Sequence, residues 1–343
     1  GPDQVLMQCF PVPANGGTMK VKIGITAPLA PESHESGLLR LPYFRERNFA
    51  IPESTAHSAW IESPRSMETL QAGDPVILEH PEETVYALRA QFDDKLLSRP
   101  FAVRAAMTGG PAWAGLQQDA DRIVRQTLEE VPVQKPGRII FVFDGSRPMA
   151  GSVKRLTSAL DHVPEGAEVA AMFAGDRLQV LREPAPWTAG AASTVATAME
   201  KQTYRGGSDN VAALLAAWDL ATAVPAGAVI WIHGPQPVSF DGEEALRQRV
   251  ERRPNGPAIL DLQVGAGPNH VAEKLNGSPA IRAVADFGDP AAALARMLDV
   301  WAGKTSFFRF ERTRVPRPEA EGPEGSSHLA RLWAFSDILR LGA

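Results

Sequence analysis

A run of apolar residues at 138–143 ends in two oxygen-bearing side chains, Asp144 and Ser146. A carboxylate and a hydroxyl placed two residues apart after a buried strand are ligands of the kind that hold Mg²⁺. A third oxygen is expected at position 148, where the chain supplies Pro148. The question is whether this turn binds a cation or keeps only the shape of such a site.

Two other polar stretches belong to the same predicted region. The stretch "YRGGSDN" (204–210) opens a helix and contains Ser208, and "IHGPQPV" (232–238) carries His233 at the end of a strand. In a parallel sheet flanked by helices, the carboxyl ends of the strands meet at one edge, where ligands bind. We therefore expect these two stretches and the 144–148 turn to lie together.

Composition narrows the classes of protein to consider. The chain has 343 residues and a net charge of −5, which suggests two domains of ordinary globular character. Its arginines are scattered and form no basic block, so we expect no nucleic-acid binding. A single cysteine, Cys9, excludes an internal disulfide and argues against a cysteine-based metal site.

The most apolar stretch, 211–232, has the length of a membrane span. Asp219, Pro225 and Gly227 divide it into an amphipathic helix and a short strand, so we reject a span here. The opening "GPDQ" looks like the remnant of a cleaved tag. We therefore expect this chain to be an excised piece whose anchors or signals lie elsewhere.

The first third of the sequence predicts antiparallel β structure. Short alternating runs bounded by Pro, Gly, Asp and Ser are typical of strands. We predict strands at 18–29, 57–62, 75–80, 84–92 and 101–107. A helix is predicted over 116–130, followed by a linker at 131–137.

From residue 138 onward, strands alternate with helices, which predicts an α/β fold with a doubly wound, mostly parallel sheet. The predicted strands are 138–143, 167–174, 177–181 (at an edge), 228–233, 258–264 and 281–285. The predicted helices are 152–162, 190–200, 209–222, 242–252, 270–276 and 290–302. A strand at 305–315 and an amphipathic helix capped by Ser327 complete the chain, and this helix is predicted to dock on the β-rich part or to form an interface.

This order of elements, with "DGSRP" after the first strand and "RGGSDN" before a central helix, resembles a von Willebrand factor A domain over 136–302. The upstream "QCFPVPANGGTMKVKIGITAPL" is similar to the end of a VIT (vault/inter-α-trypsin) domain. The segments "RLWAFSDIL" and "VIWIHGPQPV" resemble bacterial, membrane-associated VIT proteins linked to exosortase systems. The resemblance implies a partial VIT-type domain with a linker helix (1–134), a von Willebrand A-like, Rossmann-like domain (135–303) and a C-terminal segment (304–343).

In the von Willebrand A family, an Asp-x-Ser-x-Ser turn, a Thr and a second Asp form a metal-ion-dependent adhesion site. Asp144 and Ser146 match the first two ligands, and Ser208 stands where Thr is usual. Pro148 replaces the second Ser, and His233 stands in place of the second Asp. The resemblance therefore implies a degenerate site of Asp144, Ser146 and Ser208 that holds no ion, or Mg²⁺ or Ca²⁺ weakly.

A buried carboxylate without an ion needs other partners. We predict that Asp144 forms a hydrogen bond with Ser208 or with His233. The N–H groups at the start of the following helix could also contribute.

The sequence lacks the motifs of common enzymes. "SDN" (208–210) matches part of a penicillin-binding signature, but no serine stands three residues before a lysine. There is also no Gly-x-Ser-x-Gly elbow, phosphate-binding loop or His-Glu-x-x-His. We therefore predict a protein that is not an enzyme and has no cofactor, with an unrecognised hydrolase as a minor alternative.

The favoured hypothesis is a non-catalytic protein-interaction or adhesion module that binds a protein partner through its strand-end loops. Its alternative is metal-dependent adhesion through Mg²⁺ or Ca²⁺. The 233–240 loop could contact the partner or pack inside the protein. An extracytoplasmic location is favoured, with membrane attachment only through segments outside this chain. The predicted partner-binding residues are Arg147, Asp209, His233 and Gln236.

Overall fold

The computed structural model describes residues 7, 21–23, 29–49, 51–52, 55–63, 65–70, 76–82, 85–107, 112–117, 122–205, 209–238, 242–275, 278 and 280–316. Ser208 and the predicted C-terminal helix lie outside these residues, as does most of the strand predicted at 18–29.

The first third of the described chain consists of antiparallel β structure, as the alternating sequence predicts. One sheet has the order β1-β2-β7-β4, a second β3-β6-β5, and a third joins β8 and β9 to β16 near the end of the chain. The strands are β1 (Ala30–Pro31), β2 (Ser36–Leu41), β3 (His57–Ser63), β4 (Met67–Thr69), β5 (Val76–Glu82), β6 (Val85–Phe92), β7 (Phe101–Ala106), β8 (Ala112–Gln117), β9 (Arg122–Val131) and β16 (Phe307–Pro316).

The helix predicted over 116–130 is wrong: β8 and β9 form a hairpin there. Strand β9 also pairs with β16 over ten residues, from Arg122 opposite Pro316 to Val131 opposite Phe307. Its sequence contains four β-branched residues, which favour strands when a neighbouring strand is present. The partner strand lies far away in sequence, so local periodicity could not reveal this pairing.

The α/β unit contains a six-stranded sheet flanked by helices, which confirms the predicted doubly wound arrangement. The strand order is β12-β11-β10-β13-β14-β15, and every neighbouring pair is parallel except β11 with β12. Its strands are β10 (Arg138–Asp144), β11 (Glu168–Ala174), β12 (Leu178–Pro186), β13 (Gly227–His233), β14 (Ala258–Gln263) and β15 (Ile281–Ala283). Its helices are α1 (Val153–Ser158), α2 (Ala191–Glu200), α3 (Val211–Thr222), α4 (Glu243–Glu251), α5 (His270–Lys274) and α6 (Pro290–Trp301).

Strand β10 is buried on both faces, which explains its continuous apolar sequence. Ile139, Phe141 and Phe143 point into one core layer with α1, α2 and α6. Ile140 and Val142 point into the other, with α3 and α4. Because helices pack on both faces, the carboxyl edge of the sheet is held on a rigid support.

Side chains connect the β-rich part to the α/β unit. Arg45 donates from Nε to the carbonyl oxygen of Gly267 at 2.8 Å, in the loop after β14. Arg296 of α6 donates to the carbonyl oxygen of Pro31 at 3.3 Å. The loop that follows β14 is therefore supported from outside its own unit.

Asp286, between β15 and α6, is a buried carboxyl with an unusual affinity for its proton. It is 6% exposed. Burial raises its pKa to about 6, and Asp289 adds to this, whereas the Gly288 N–H and Arg40 act in the opposite direction. The ordinary value is 3.8, so between these two values the folded state holds this proton more tightly than the unfolded state.

This difference predicts a pH-dependent stability. The stabilising contribution of protonated Asp286 is present below pH 3.8 and is lost as the pH rises through 6. We expect Asp286→Asn to raise the free energy of unfolding by about 2 kcal/mol at pH 8 and to change it little at pH 4. Urea denaturation at both pH values checks this, with Asp161→Asn as an exposed control. An equal effect of Asp286→Asn at both pH values would contradict it.

Candidate functional site

The turn after β10 depends on Gly145. A Cβ atom at this position would lie 2.7 Å from the ring of Phe173 and 2.9 Å from the carbonyl oxygen of Ala174. Tyr204 packs edge-on against the same Phe173 ring, and burial, then the negative charge of Asp144, raise the pKa of its phenol. The turn is therefore pressed against β11 and holds the Asp144 carboxylate in a closed environment.

Asp144 is fully buried, and both of its carboxylate oxygens accept hydrogen bonds from the chain itself. Oδ1 accepts from the Ser146 N–H at 3.0 Å and from Asn210 Nδ2 at 3.1 Å. Oδ2 accepts from the Ser146 hydroxyl at 2.5 Å, the Gly234 N–H at 3.0 Å and Gln236 Nε2 at 3.4 Å. Five donors therefore stabilise the negative charge that a cation would otherwise balance.

The orientation of the Asn210 side chain follows from its neighbour Trp231. An indole N–H can only donate, and Trp231 Nε1 lies 3.0 Å from Asn210 Oδ1. The Asn210 Nδ2 group must therefore face the other way, toward Asp144 and toward Gln236 Oε1 at 3.2 Å. Trp231 of β13 thus directs an amide N–H group at the carboxylate.

The loop after β13 is half internal and half exposed. Gln236 is 3% exposed, its N–H donates to the Pro268 carbonyl at 2.7 Å, and its own carbonyl accepts from the His270 N–H at 3.0 Å. Pro237 and Val238, at the tip, are exposed. Of the two alternatives for this loop, packing inside the protein holds for its first half, and its tip stays open to solvent.

His233 faces Asp261 instead of Asp144. Its Nε2 lies 2.6 Å from Asp261 Oδ1, and its Nδ1 lies 2.5 Å from the Gly234 carbonyl oxygen. The ring also stacks on Trp231, with 3.7 Å between centroids. The predicted Asp144–His233 hydrogen bond is therefore wrong, because both ring nitrogens are engaged elsewhere.

Asn269 completes this second part of the network. Its Nδ2 donates to Asp261 Oδ2 at 3.1 Å, and its Oδ1 accepts from the Ala272 N–H as the cap of α5. The polar side chains at this sheet edge thus form a buried network in which backbone and side-chain partners replace solvent.

The predicted site residues have different outcomes. Asp144 and Ser146 contact each other as the spacing predicts, and Ser208 lies outside the described residues. Asp209 is partly buried and accepts from the Val211 N–H at 2.8 Å, whereas Arg147 is exposed.

The assignment of His233 and Gln236 to partner contacts needs correction. Their exposed fractions are 0% and 3%, and their polar atoms bond within the chain. A partner reaches neither side chain in this conformation, because the turns above them cover both.

The described residues at this edge do not fit a cation in their present arrangement. Mg²⁺ needs lone pairs from several oxygens in octahedral geometry, but N–H groups of Asn210, Gly234 and Gln236 point at the Asp144 carboxylate. Pro148 offers no side-chain oxygen. No group of three His, Cys, Asp or Glu side chains that could hold a metal is found among the residues that the structure describes.

Sequence reasoning missed three members of the network: Asn210, Asp261 and Asn269. Asn210 was visible within "SDN", directly before a predicted helix, but that signal pointed to a capping or enzyme motif. Asp261 lies inside a predicted apolar strand, where a lone carboxylate signals a buried partner. Nothing local in the sequence indicates which partner it has.

Comparison with known proteins yields likenesses among solved structures only. No family model matches the chain, and no curated protein matches it. A von Willebrand factor type A structure from Catenulispora acidiphila is 12% identical, with a TM-score of 0.41, covering 57% of this chain and 47% of that one. The likeness is one of fold.

Two further solved structures show the same α/β likeness. Manganese-loaded Plasmodium vivax TRAP protein is 14% identical, with a TM-score of 0.35 and coverage of 58% of this chain and 83% of that one. Mussel byssus proximal thread matrix protein 1, with a zinc-occupied MIDAS motif, is 15% identical, with a TM-score of 0.37 and coverage of 55% and 50%. This chain therefore spans about half the length of the first and third of these structures. The VIT-type and exosortase-associated resemblances have no counterpart here and stay predictions.

Within the described part of the chain, no helix has the length and apolar character needed to cross a membrane.

Proposed function

We propose that this chain is a non-catalytic protein-interaction module that binds its partner through a strand-end face on the α/β unit. We define the strand-end face by the exposed residues at the carboxyl edge of the sheet: Arg147, Pro148, Asp176, Arg177, Arg205, Pro237 and Val238. The observation that carries the proposal is the complete set of protein donors around Asp144. These donors hold the edge together without an ion, so recognition falls to the surface above it.

The support beneath this face suits a binding surface. Loops on a rigid scaffold are where binding residues concentrate. The Asp144 network connects the turn after β10, the start of α3 and the loop after β13. Pro148 and Pro237 further restrict the exposed backbone, which lowers the entropy lost when a partner binds.

The buried His233–Asp261 pair does not favour catalysis. His233 is fully buried, and the described hydrogen bonds of its ring go to Gly234, Asp261 and Asn269, none of which carries a hydroxyl or thiol nucleophile. A general base must also reach its substrate. The pair is better explained as part of the internal network, which supports a protein that is not an enzyme.

The metal-dependent alternative makes an opposite and measurable prediction. We expect 1 mM-scale Mg²⁺, Mn²⁺, Ca²⁺ or Zn²⁺ to leave the thermal midpoint within about 1 °C of its value in EDTA, because a ligand that does not bind cannot stabilise. Differential scanning calorimetry measures this. A saturable rise that Ser146→Ala abolishes would instead establish metal-dependent binding.

Partner capture tests the interaction module directly. Val238, at the tip of the loop after β13, is 55% exposed, and Val133, before β10, is 39% exposed at the opposite edge of the sheet. We expect Val238→Asp to reduce recovery of the captured partner from cells about tenfold, and Val133→Asp to leave it unchanged. Quantitative mass spectrometry after affinity capture measures both. Equal recovery with both variants would exclude the strand-end face as the contact surface.

A further inference from the structure

Three exposed arginines lie together on the strand-end face. Arg147 follows Asp144 by three residues, and Arg177 follows Ala174 by three residues. Asp144 and Ala174 are register partners in the parallel strands β10 and β11. Because parallel partners advance together, the two arginines leave the sheet side by side at the same edge.

Arg205 joins this pair from the loop between α2 and α3. It forms a parallel bridge with Ser146, and its N–H donates to the Gly145 carbonyl oxygen at 3.2 Å. Its Nη1 also lies 4.0 Å from Asp176 Oδ2, next to Arg177. Arg205 is therefore placed between the turn after β10 and the turn after β11.

The positive charge of this cluster is little compensated. Arg147 and Arg177 form no ion pair with any residue in the described ranges, and the Arg205–Asp176 contact joins side chains that are 71% and 76% exposed. Such an exposed pair contributes little energy. Asp209 accepts a hydrogen bond from the Val211 N–H, and Asp144 is buried in its network. A cationic patch therefore stands on a chain whose net charge is −5.

Apolar side chains adjoin the arginines along β12. Leu178 and Val180 are 39% and 48% exposed, and their register partners Ala174 and Met172 are buried in the core layer of that sheet face. Strand β12 is the outermost strand of the six-stranded sheet in the described chain. The arginines thus border a small apolar strip at a sheet edge, where an extended peptide can add hydrogen bonds.

We propose that Arg147, Arg177 and Arg205 recognise the carboxylates of an acidic peptide segment in the protein partner, with Leu178 and Val180 contacting its apolar residues. This inference rests on the proposed interaction module and specifies the chemistry of its partner. Guanidinium groups bind carboxylates through paired, charge-assisted hydrogen bonds. A nucleic acid needs a longer basic track than three arginines on an acidic chain provide.

The test is selection from a random 12-residue peptide library displayed on phage, with the full chain as bait. We expect Asp and Glu to be enriched about threefold in the selected peptides, with apolar residues beside them. The selected peptides, synthesised with a fluorescent label, are then titrated by fluorescence anisotropy. We expect Arg147→Glu/Arg177→Glu to weaken their binding at least about tenfold, since two attractive contacts become repulsive.

A matched control changes the same charge at the other end of the sheet. Arg252 and Arg253 follow α4, are exposed, and form no ion pair within the described residues. We expect Arg252→Glu/Arg253→Glu to keep peptide affinity within about twofold, although it alters the net charge equally. If Arg147→Glu/Arg177→Glu does not fold by circular dichroism, the single change Arg205→Glu takes its place, with an expected loss of about threefold.

Three results would overturn the inference: selected peptides without acidic enrichment or no selected peptides, equal binding by the Arg147/Arg177 variant, or tighter binding of a 12-nucleotide single-stranded DNA than of any peptide. The interaction module is judged separately, because its own test uses the captured cellular partner and Val238→Asp. Loss of the partner with Val238→Asp, together with peptides that carry no acidic residues, would leave the module in place and remove only the acidic partner.

Discussion

Asp144→Ala is expected to lower the free energy of unfolding by about 3–5 kcal/mol, the largest effect of any change at the sheet edge. The substitution removes the acceptor of five hydrogen bonds from Ser146, Asn210, Gly234 and Gln236. These donors stay buried after the change and lose their partner without gaining water. The loss should be the same in EDTA and in Mg²⁺, because protein groups provide the stabilisation.

Guanidinium chloride denaturation of the wild type and the variant, in both media, measures this loss. Asp176→Ala is the control, since Asp176 is a carboxylate on the same edge that is 76% exposed, and its removal should cost less than about 0.5 kcal/mol. A loss at Asp144 that is large in Mg²⁺ and below about 1 kcal/mol in EDTA would show that a cation is the true partner of this carboxylate.

Asp261→Ala and His233→Phe are each expected to cost about 3 kcal/mol, and their combination should cost clearly less than the sum. Asp261 accepts from His233 Nε2 at 2.6 Å, and the ring is fully buried against Trp231. Either single change leaves a buried polar partner unsatisfied. The double variant removes both partners together, so a coupling energy above about 1 kcal/mol should appear.

A double-mutant cycle from urea denaturation measures this coupling. The chain offers a matched pair in His162 and Asp299, which lie 2.8 Å apart with side chains 40% and 23% exposed. We expect a coupling energy below about 0.5 kcal/mol for that pair, because water screens it. Equal coupling energies in the two cycles would mean that burial does not strengthen the His233–Asp261 contact.

The elements of the α/β unit were predictable because their signals are local. Strand β10 is marked by a continuous apolar run, and α3 and α6 follow with helical spacing between turn residues. Each observed element lies within a few residues of its predicted range. The β8–β9 hairpin was not predictable in this way, because β9 is stabilised by pairing with β16, about 180 residues away.

The amino-acid sequence by itself determined that three polar loops meet at one edge of a mostly parallel sheet, with Asp144 and Ser146 in the first. Strand order and the direction of βαβ crossovers dictate that meeting. It also determined that Pro148 contributes no ligand oxygen, which depends on residue type alone.

Only the tertiary structure decided the partners of those residues. Asn210 faces Asp144 because Trp231, on a neighbouring strand, occupies its carbonyl oxygen, and His233 faces Asp261 across β13 and β14. Hydrogen bonds are short and directional, so their partners depend on register and side-chain orientation across strands that the chain reaches far apart in sequence. The same register places Arg147 beside Arg177, a pairing that no local pattern reveals.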